Sequence, residues 1–318
     1  NYIPSKENIF SRSKGILEVG ALKDKKVVII GLGSFGSQIA IELAKAGVGN
    51  FSLMDFDRVE LHNLSRHTGR LKTNVIEEAI LGKNPYAVVR KSPVDINKDL
   101  ELLHSEIETA DLVICATDNN TSRFNLSKAL VEKEKVGIFG RAITRAEGGD
   151  VFRYRPGGPC YCCLIGEGNL QQEEITNVDS ARRDGRIAAY VSPEDADAMV
   201  QVGLSSDIEP ICNLMVKLSL VELSRGIESG ISSLEQELVY DFYNSFFSFI
   251  NVYQEGFCGH SIAFQTSQRC TCAGSQSDKP LPKAHPWILR NSRGFPQSCD
   301  PYIHTFPCHK FFQEADAP

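Results

Sequence analysis

Three groups of residues in this sequence have types and spacings that can do chemistry. The first is a glycine turn, Gly31, Gly33 and Gly36 in "VVIIGLGSFG". Between a β-branched run and a helical pattern, Gly31 and Gly33 let the backbone approach phosphates, and Gly36 lets the helix pack on the strand. The helix N-terminus then offers unpaired N–H groups to an anion. The second group follows in "LMDFDRVELHNLSRH" and just beyond it. Asp55, closing the run "FSLMD", is placed to grip the two hydroxyls of a ribose, a feature that NAD and ATP share. Asn63, Arg66 and Lys72 separate those two ligands. Cations gathered near phosphates stabilise the charge that builds up as pyrophosphate leaves, whereas hydride transfer has no use for them. Asp118, at the end of "ADLVICATD", falls at the carboxyl edge where such sheets bind ligands, and a lone carboxylate beside phosphates is a natural Mg2+ ligand. The third group is cysteine: "PCYCCL" holds Cys160, Cys162 and Cys163, and "RCTC" holds Cys270 and Cys272. Two clusters far apart in sequence suit a tetrahedral structural Zn2+ better than a disulfide framework, and so point to a reducing, cytoplasmic compartment.

The elements that must position these groups alternate. Strands are predicted at "KVVII", "FSLMD", "YAVVRKS", "ADLVICAT" and "VGIFG". Helices are predicted over "SFGSQIAIELAKAG", with an apolar face at Ile39, Leu43 and Ala44, and over "TNVIEEAILGKN" and "TSRFNLSKALVEKE". This rhythm specifies an α/β fold, a doubly wound, Rossmann-like and mostly parallel sheet. After Arg145 the rhythm changes, and "GGDVFRYRPGGPCYCCL" reads as an antiparallel extension. Residues 166–199 are polar and charged and form a crossing segment, placed at about 164–205. A long helix follows over "DIEPICNLMVKLSLVELSRGI", and "ELVYDFYNSFFSFINVYQ" supplies two more strands. The expected organisation is an N-terminal arm (1–24), a catalytic domain (25–272) and an irregular C-terminal segment (273–318).

The bulk numbers exclude several classes. The chain has 318 residues, 42% hydrophobic, enough for a large core. A net charge of −6 argues against a nucleic-acid partner. No run of about 18 apolar residues suggests a membrane span, and no apolar signal stretch opens the sequence.

The order of the motifs resembles the ThiF/MoeB/HesA family, the adenylating module of ubiquitin-activating-type enzymes. The resemblance rests on "GLGSFG", then "DFDRVELHNLSRH", then Lys72 ahead of "NP", then "ATDN" followed by Arg123, and it runs over about residues 8–272. It implies Mg·ATP-dependent adenylation of the C-terminal glycine carboxylate of a ubiquitin-like or sulfur-carrier protein. It also implies nucleotide contacts from Asp55 and Asp57, triphosphate contacts from Asn63, Arg66 and Lys72, Mg2+ at Asp118, and support of that site from Arg123. Members are usually homodimers in which an N-terminal arginine reaches the partner's site, and Arg12 is its counterpart here. The family's zinc pattern selects Cys160, Cys163, Cys270 and Cys272, with Cys162 in a variable position. The second pair departs from that pattern in being Cys-x-Cys, and His67 stands where glutamine is more usual. A conjugating-enzyme or sulfurtransferase partner is implied in the same way.

Many members then pass the activated protein to a cysteine of their own, yet residues 164–211 contain none. Cys212 falls on an apolar helix face behind the acidic "SSDIE", a setting for a core residue rather than a thiolate. Cys299, His304, Cys308 and His309 fit no metal spacing, and Cys258 and His260 read as packing or surface residues. The competing readings are adenylation of a peptide or other small carboxylate, an NAD(P)-dependent oxidoreductase, and a non-catalytic scaffold. The oxidoreductase leaves Arg66, Lys72 and the cysteines without a task, and the scaffold has no reason to keep Arg66, Lys72 and Asp118.

Overall fold

The computed structural model describes residues 9–13, 15–59, 70–142, 148–165, 205–228, 230–231, 242–246 and 258–262. A 3₁₀ turn (Ser11–Ser13) and a short helix α1 (Val19–Leu22) lead into β1 (Lys26–Ile30) and α2 (Ser34–Lys45). Then come β2 (Asn50–Met54), α3 (Lys72–Lys83), β3 (Val88–Ser92), α4 (Leu100–Glu108), β4 (Leu112–Cys115) and α5 (Asn120–Glu132). The second half holds β5 (Gly137–Ala142), β6 (Gly148–Tyr154), α6 (Tyr161–Ile165), α7 (Ser205–Leu223), β7 (Phe242–Phe246) and β8 (Cys258–Ile262).

These strands form one sheet in the order β3-β2-β1-β4-β5-β6-β7-β8. The first five run parallel. The last three are added antiparallel, so the predicted extension is present. The apolar runs explain the architecture, because strands with no polar face must be covered on both sides. Val27, Ile29, Leu53, Leu112 and Ile114 pack on α2, α3 and α7, while Val28, Ile30, Val113, Cys115 and Phe139 pack on α4, α5 and α6. At the edge the pattern breaks, and β3 carries exposed Val88 and the ion-paired Arg90 and Lys91.

Three elements differ from the sequence reading. The helix α4 was not expected between the third and fourth strands. Asp99 caps it by accepting from the Leu102 amide at 3.0 Å, and Leu103 and Ile107 bury its short apolar stripe. The "CYCCL" stretch is helical rather than extended, because the chain turns through Gly157 at φ +83° after β6 and enters α6. Of the two strands expected in "ELVYDFYNSFFSFINVYQ", β7 is one; the remainder lies outside the described residues, and the next strand, β8, begins only at Cys258. That strand includes Cys258 and His260, read from the sequence as packing or surface residues.

Two close approaches fix the site's framework. Gly31 has φ +85°, and a Cβ there would lie 2.7 Å from the Ala116 carbonyl oxygen. A Cβ at Gly36 would run into the Gly31 carbonyl oxygen, so β1, α2 and the end of β4 meet backbone to backbone. Gly33, the N-cap of α2, has open space around it. On the other half, α7 lies against β5 and β6 where Gly140 faces Met215 and Gly149 faces Ile211. The same helix holds β6 by charge: Arg153 (0% exposed) donates to Glu222 (4% exposed) at 3.0 Å.

Two stability measurements follow. Gly36→Ala and Gly31→Ala are each expected to cost about 2 kcal/mol or more through overpacking, while Gly33→Ala stays within about 0.5 kcal/mol of wild type in denaturant unfolding. Glu222→Ala removes the buried carboxylate that Arg153 and Arg225 both engage and should cost about 3–5 kcal/mol, whereas the double variant Arg153→Met/Glu222→Leu recovers most of that loss. Equal costs for the single and double variants would show that the pair's charge is not what matters.

Candidate functional site

The strand order reverses direction between β1 and β4, and the carboxyl ends of these two neighbours carry the glycine turn and Asp118. In an open α/β sheet this is where a crevice forms. Asp55 sits one strand over, at the end of β2, and is 8% exposed. The Leu32 amide donates to its Oδ2 at 2.5 Å, and the Asp57 amide donates to its Oδ1 at 2.7 Å. The carboxylate therefore fixes the glycine turn before any ligand arrives. Each oxygen keeps a further acceptor site for a hydroxyl donor.

The chain leaving Asp55 folds back on itself. Val59 donates its amide to the Arg70 carbonyl at 2.8 Å and Lys72 donates its amide to the Asp57 carbonyl at 3.0 Å, around a β-bridge between Arg58 and Leu71. These bonds join Val59 to Arg70 and Asp57 to Lys72, on either side of the stretch 60–69. Asn63 and Arg66 lie in that stretch, outside the described residues. Lys72 begins α3, and its Nζ donates to Asp57 Oδ2 at 2.7 Å. Asp57 thus holds the lysine in a partly exposed ion pair.

Beyond β4, Asn119 caps α5 by accepting from the Ser122 amide at 2.8 Å. Buried Arg123 reaches back from the first turn of α5 and donates to the Thr117 carbonyl at 2.6 Å and to Asn120 Oδ1 at 3.1 Å. These bonds shape the loop so that Asp118, between them, is exposed. Gly31, Gly36, Asp55, Asp57, Lys72 and Arg123 are linked by backbone and side-chain contacts through Leu32, Ala116 and Thr117, and Gly33 and Asp118 are chain neighbours of Leu32 and Thr117. Arg12 lies exposed in its 3₁₀ turn and is not part of that set.

Sequence reasoning missed three residues beside this loop. Arg141, near the end of β5, faces Asp150 on β6 as a direct cross-strand partner. Its Nε donates to both carboxylate oxygens, at 2.8 and 3.1 Å, and its NH2 donates to Oδ2. Burial alone would favour loss of the Arg141 proton, but the hydrogen bond and charge of Asp150 outweigh it and raise the pKa above the ordinary arginine value. The third residue is Tyr161, fully buried at the start of α6, its ring stacked on Phe139 at 5.0 Å. Burial pushes its phenol above the ordinary tyrosine value, partly countered by the charges of Arg141 and Arg123. Arg123 Nε has no hydrogen-bond partner among the described residues, and Tyr161 Oη lies against the donor-only guanidinium of Arg141. A cross-strand register that pairs Arg141 with Asp150 is invisible until the hairpin between β5 and β6 is known.

The cysteines divide by surroundings. Cys160 Sγ and Cys163 Sγ lie 3.7 Å apart. Two sulfurs bound to one tetrahedral zinc at about 2.3 Å each would be about 3.8 Å apart, so this pair has the geometry of half a zinc site. Cys270 and Cys272 lie outside the described residues, and among the described residues no three metal-capable side chains converge. Cys212 is wholly buried, and burial together with Glu209 pushes its thiol up to about 12. At neutral pH it is a thiol in the core. Among the described residues no helix is long and apolar enough to cross a membrane.

The comparisons with known proteins agree with this geometry. The ThiF family pattern matches residues 9–258. The molybdopterin-synthase adenylyltransferase of Escherichia coli (strain K12) is 40% identical over 152 residues, which is 45% of this chain and 60% of that protein. The adenylyltransferase and sulfurtransferase MOCS3 of Anopheles gambiae is 30% identical over 208 residues, 62% of this chain and 47% of that protein. The match thus spans only about half to three fifths of the length of these relatives. Among solved structures, E. coli MccB with succinimide covers 85% of this chain and 75% of its own, with a TM-score of 0.61 at 20% identity. E. coli MccB with ATP gives a TM-score of 0.56 at 19% identity, covering 80% of this chain and 68% of its own. At that identity the likeness establishes the fold. The family pattern runs over the glycine turn, Asp55, Lys72, Asp118 and the first cysteine pair, and on that ground the chain belongs to the ThiF family.

Proposed function

We propose that this protein uses Mg·ATP to adenylate the C-terminal glycine carboxylate of a ubiquitin-like or sulfur-carrier protein, activating it for conjugation or sulfur transfer. The observation that supports this most is the meeting of an anion-ready glycine turn, a fixed ribose-type carboxylate, an ion-paired lysine and an exposed carboxylate at one switch-point crevice. The naming of relatives as adenylyltransferases points the same way. Residues 25–272 form the adenylation unit in this reading.

In this reading Asp55 accepts the ribose hydroxyls, and the amides of the glycine turn and of the start of α2 face the phosphates. Lys72 leaves Asp57 for the phosphates, joined by Asn63 and Arg66 from the adjacent stretch. Asp118 fits Mg2+, being an exposed hard oxygen donor on a loop braced by Arg123. Bound Mg2+ supplies positive charge against the triphosphate. A carboxylate oxygen of the acceptor attacks the α-phosphorus, the bond to the bridging oxygen breaks, and pyrophosphate leaves with that electron pair. The acceptor is already anionic, so no general base is required; alignment and neutralisation of the leaving group carry the step. Arg12 would act in a partner's site in a homodimer, and Cys160, Cys163, Cys270 and Cys272 would hold a structural Zn2+.

Two measurements test the assignment. Mg·ATP at about one hundred times its Kd should stabilise the fold by about 2.7 kcal/mol in a thermal-shift titration. Asp118→Ala should lose most of that shift, and NAD+ and NADPH should give none; a shift with NAD(P) alone would return Asp55 to a dehydrogenase. For the metal, protein purified without chelator should carry close to one zinc per chain by mass spectrometry, and Cys163→Ser should release it with a lower melting point. A metal-free wild type of normal stability would rule out the four-cysteine site.

A further inference from the structure

Resting on the adenylation reading, we infer that Arg141, backed by the Tyr161 hydroxyl, is the seat that receives the acceptor's carboxylate beside Asp118. The place follows from strand register. The β4–β5 ladder ends with Cys115 opposite Phe139; Arg141 lies two residues beyond on β5, and Asp118 three residues beyond on the chain leaving β4. Arg141 thus flanks the loop that presents Asp118. The face follows from alternation: Phe139, Arg141 and Asp150 point to the side of the sheet covered by α5 and α6, where Arg123 and Tyr161 also lie.

The charge balance in this pocket is uneven. Two guanidinium groups, Arg123 and Arg141, act on the Tyr161 phenol, and Asp150 is the one carboxylate in direct contact with either among the described residues. Buried donors in native proteins find partners. Here Arg123 Nε (in a residue 8% exposed) has none among the described residues, and Tyr161 Oη (0%) has beside it the Arg141 guanidinium, itself only a donor, so that an entering anion satisfies both. The donors are also held rigidly. Asp150 grips Arg141 through two of its nitrogens, and Phe139, Phe124 and Phe152 all pack on the Tyr161 ring. Even so, the Arg141 side chain keeps 31% exposure, so part of it faces solvent.

The chemistry requires such a seat. Adenylation brings a carboxylate against a triphosphate, and two anions must be held together at the moment of attack. A guanidinium and a neutral phenol bind a carboxylate without protonating it, and so leave its attacking oxygen nucleophilic. A C-terminal acid is accordingly preferred over its amide by a charge-assisted hydrogen bond, about tenfold or more in affinity.

The test uses the whole chain and two peptides, one ending in Gly-Gly with a free carboxylate and the same peptide amidated, titrated calorimetrically with and without a non-hydrolysable Mg·ATP analogue. Wild type should prefer the acid by about tenfold. Arg141→Gln should abolish the preference. Tyr161→Phe, which preserves the ring stack, should weaken acid binding about threefold to tenfold and leave amide binding and the Mg·ATP thermal shift unchanged. Equal binding of acid and amide by wild type, binding of neither, or a preference retained in both variants would overturn the seat. The absence of any Mg·ATP shift in wild type would instead sink the adenylation reading, while the acid–amide comparison without nucleotide still decides the anion site. Should Arg141→Gln fail to fold, Tyr161→Phe carries the decision alone.

Discussion

One buried carboxylate holds the crevice together. Asp55 accepts the Leu32 amide on one oxygen and the Asp57 amide on the other, and so ties the turn after β1 to the chain leaving β2. Three consequences depend on that pair of hydrogen bonds. The glycine turn keeps its shape without a ligand, the start of α2 is aimed across the end of the sheet, and the chain after Asp55 is bent back toward Lys72. Without the carboxylate, two amides at the base of the crevice would lose their partner, and the two walls would be joined only by sheet hydrogen bonds.

The framework beneath is set by close approach at glycines, to backbone at one end and to side chains of α7 at the other. Gly36 against Gly31, Gly31 against Ala116, Gly140 against Met215 and Gly149 against Ile211 let two helices lie closer to the sheet than any side chain would permit. Where α7 crosses β6, the fully buried Arg153–Glu222 pair adds a charge requirement to the shape requirement. Ion pairs of this kind seldom beat a well-packed apolar alternative in stability, but they penalise any register in which one partner is stranded. The helix that closes the second half of the sheet is thereby held in one position along it.

Much of this was legible in the sequence. The β-branched runs announced the parallel strands, because a strand buried on both faces has no polar residues to spare. The places of the glycine turn, Asp55 and Asp118 at strand ends, and of Lys72 at the start of a helix, were legible because they are set by chain connections that are short and local. Cys212 was legible as core, since its helix face is apolar throughout. What escaped was non-local or weakly patterned. Arg141 and Asp150 meet only through the register of an antiparallel hairpin, and Tyr161 gains its setting from a short helix read as extended chain. The helix α4 was hidden by charge, with a stripe of only two buried apolar residues, Leu103 and Ile107, among acidic neighbours.

The ion pair between Lys72 and Asp57 also has an electrostatic meaning. A bare cation at the mouth of such a crevice would draw in whatever anion was most abundant. With Asp57 in contact, the resting crevice presents little net charge at that point. An incoming ligand gains only the excess of its own attraction over that of one carboxylate. Monovalent anions gain almost nothing by the exchange, whereas a polyphosphate gains several-fold through its multiple charges. In the proposed adenylation reading the pair would therefore act as a valence filter, ranking anions by charge number before shape is consulted and re-forming once a less charged product remains.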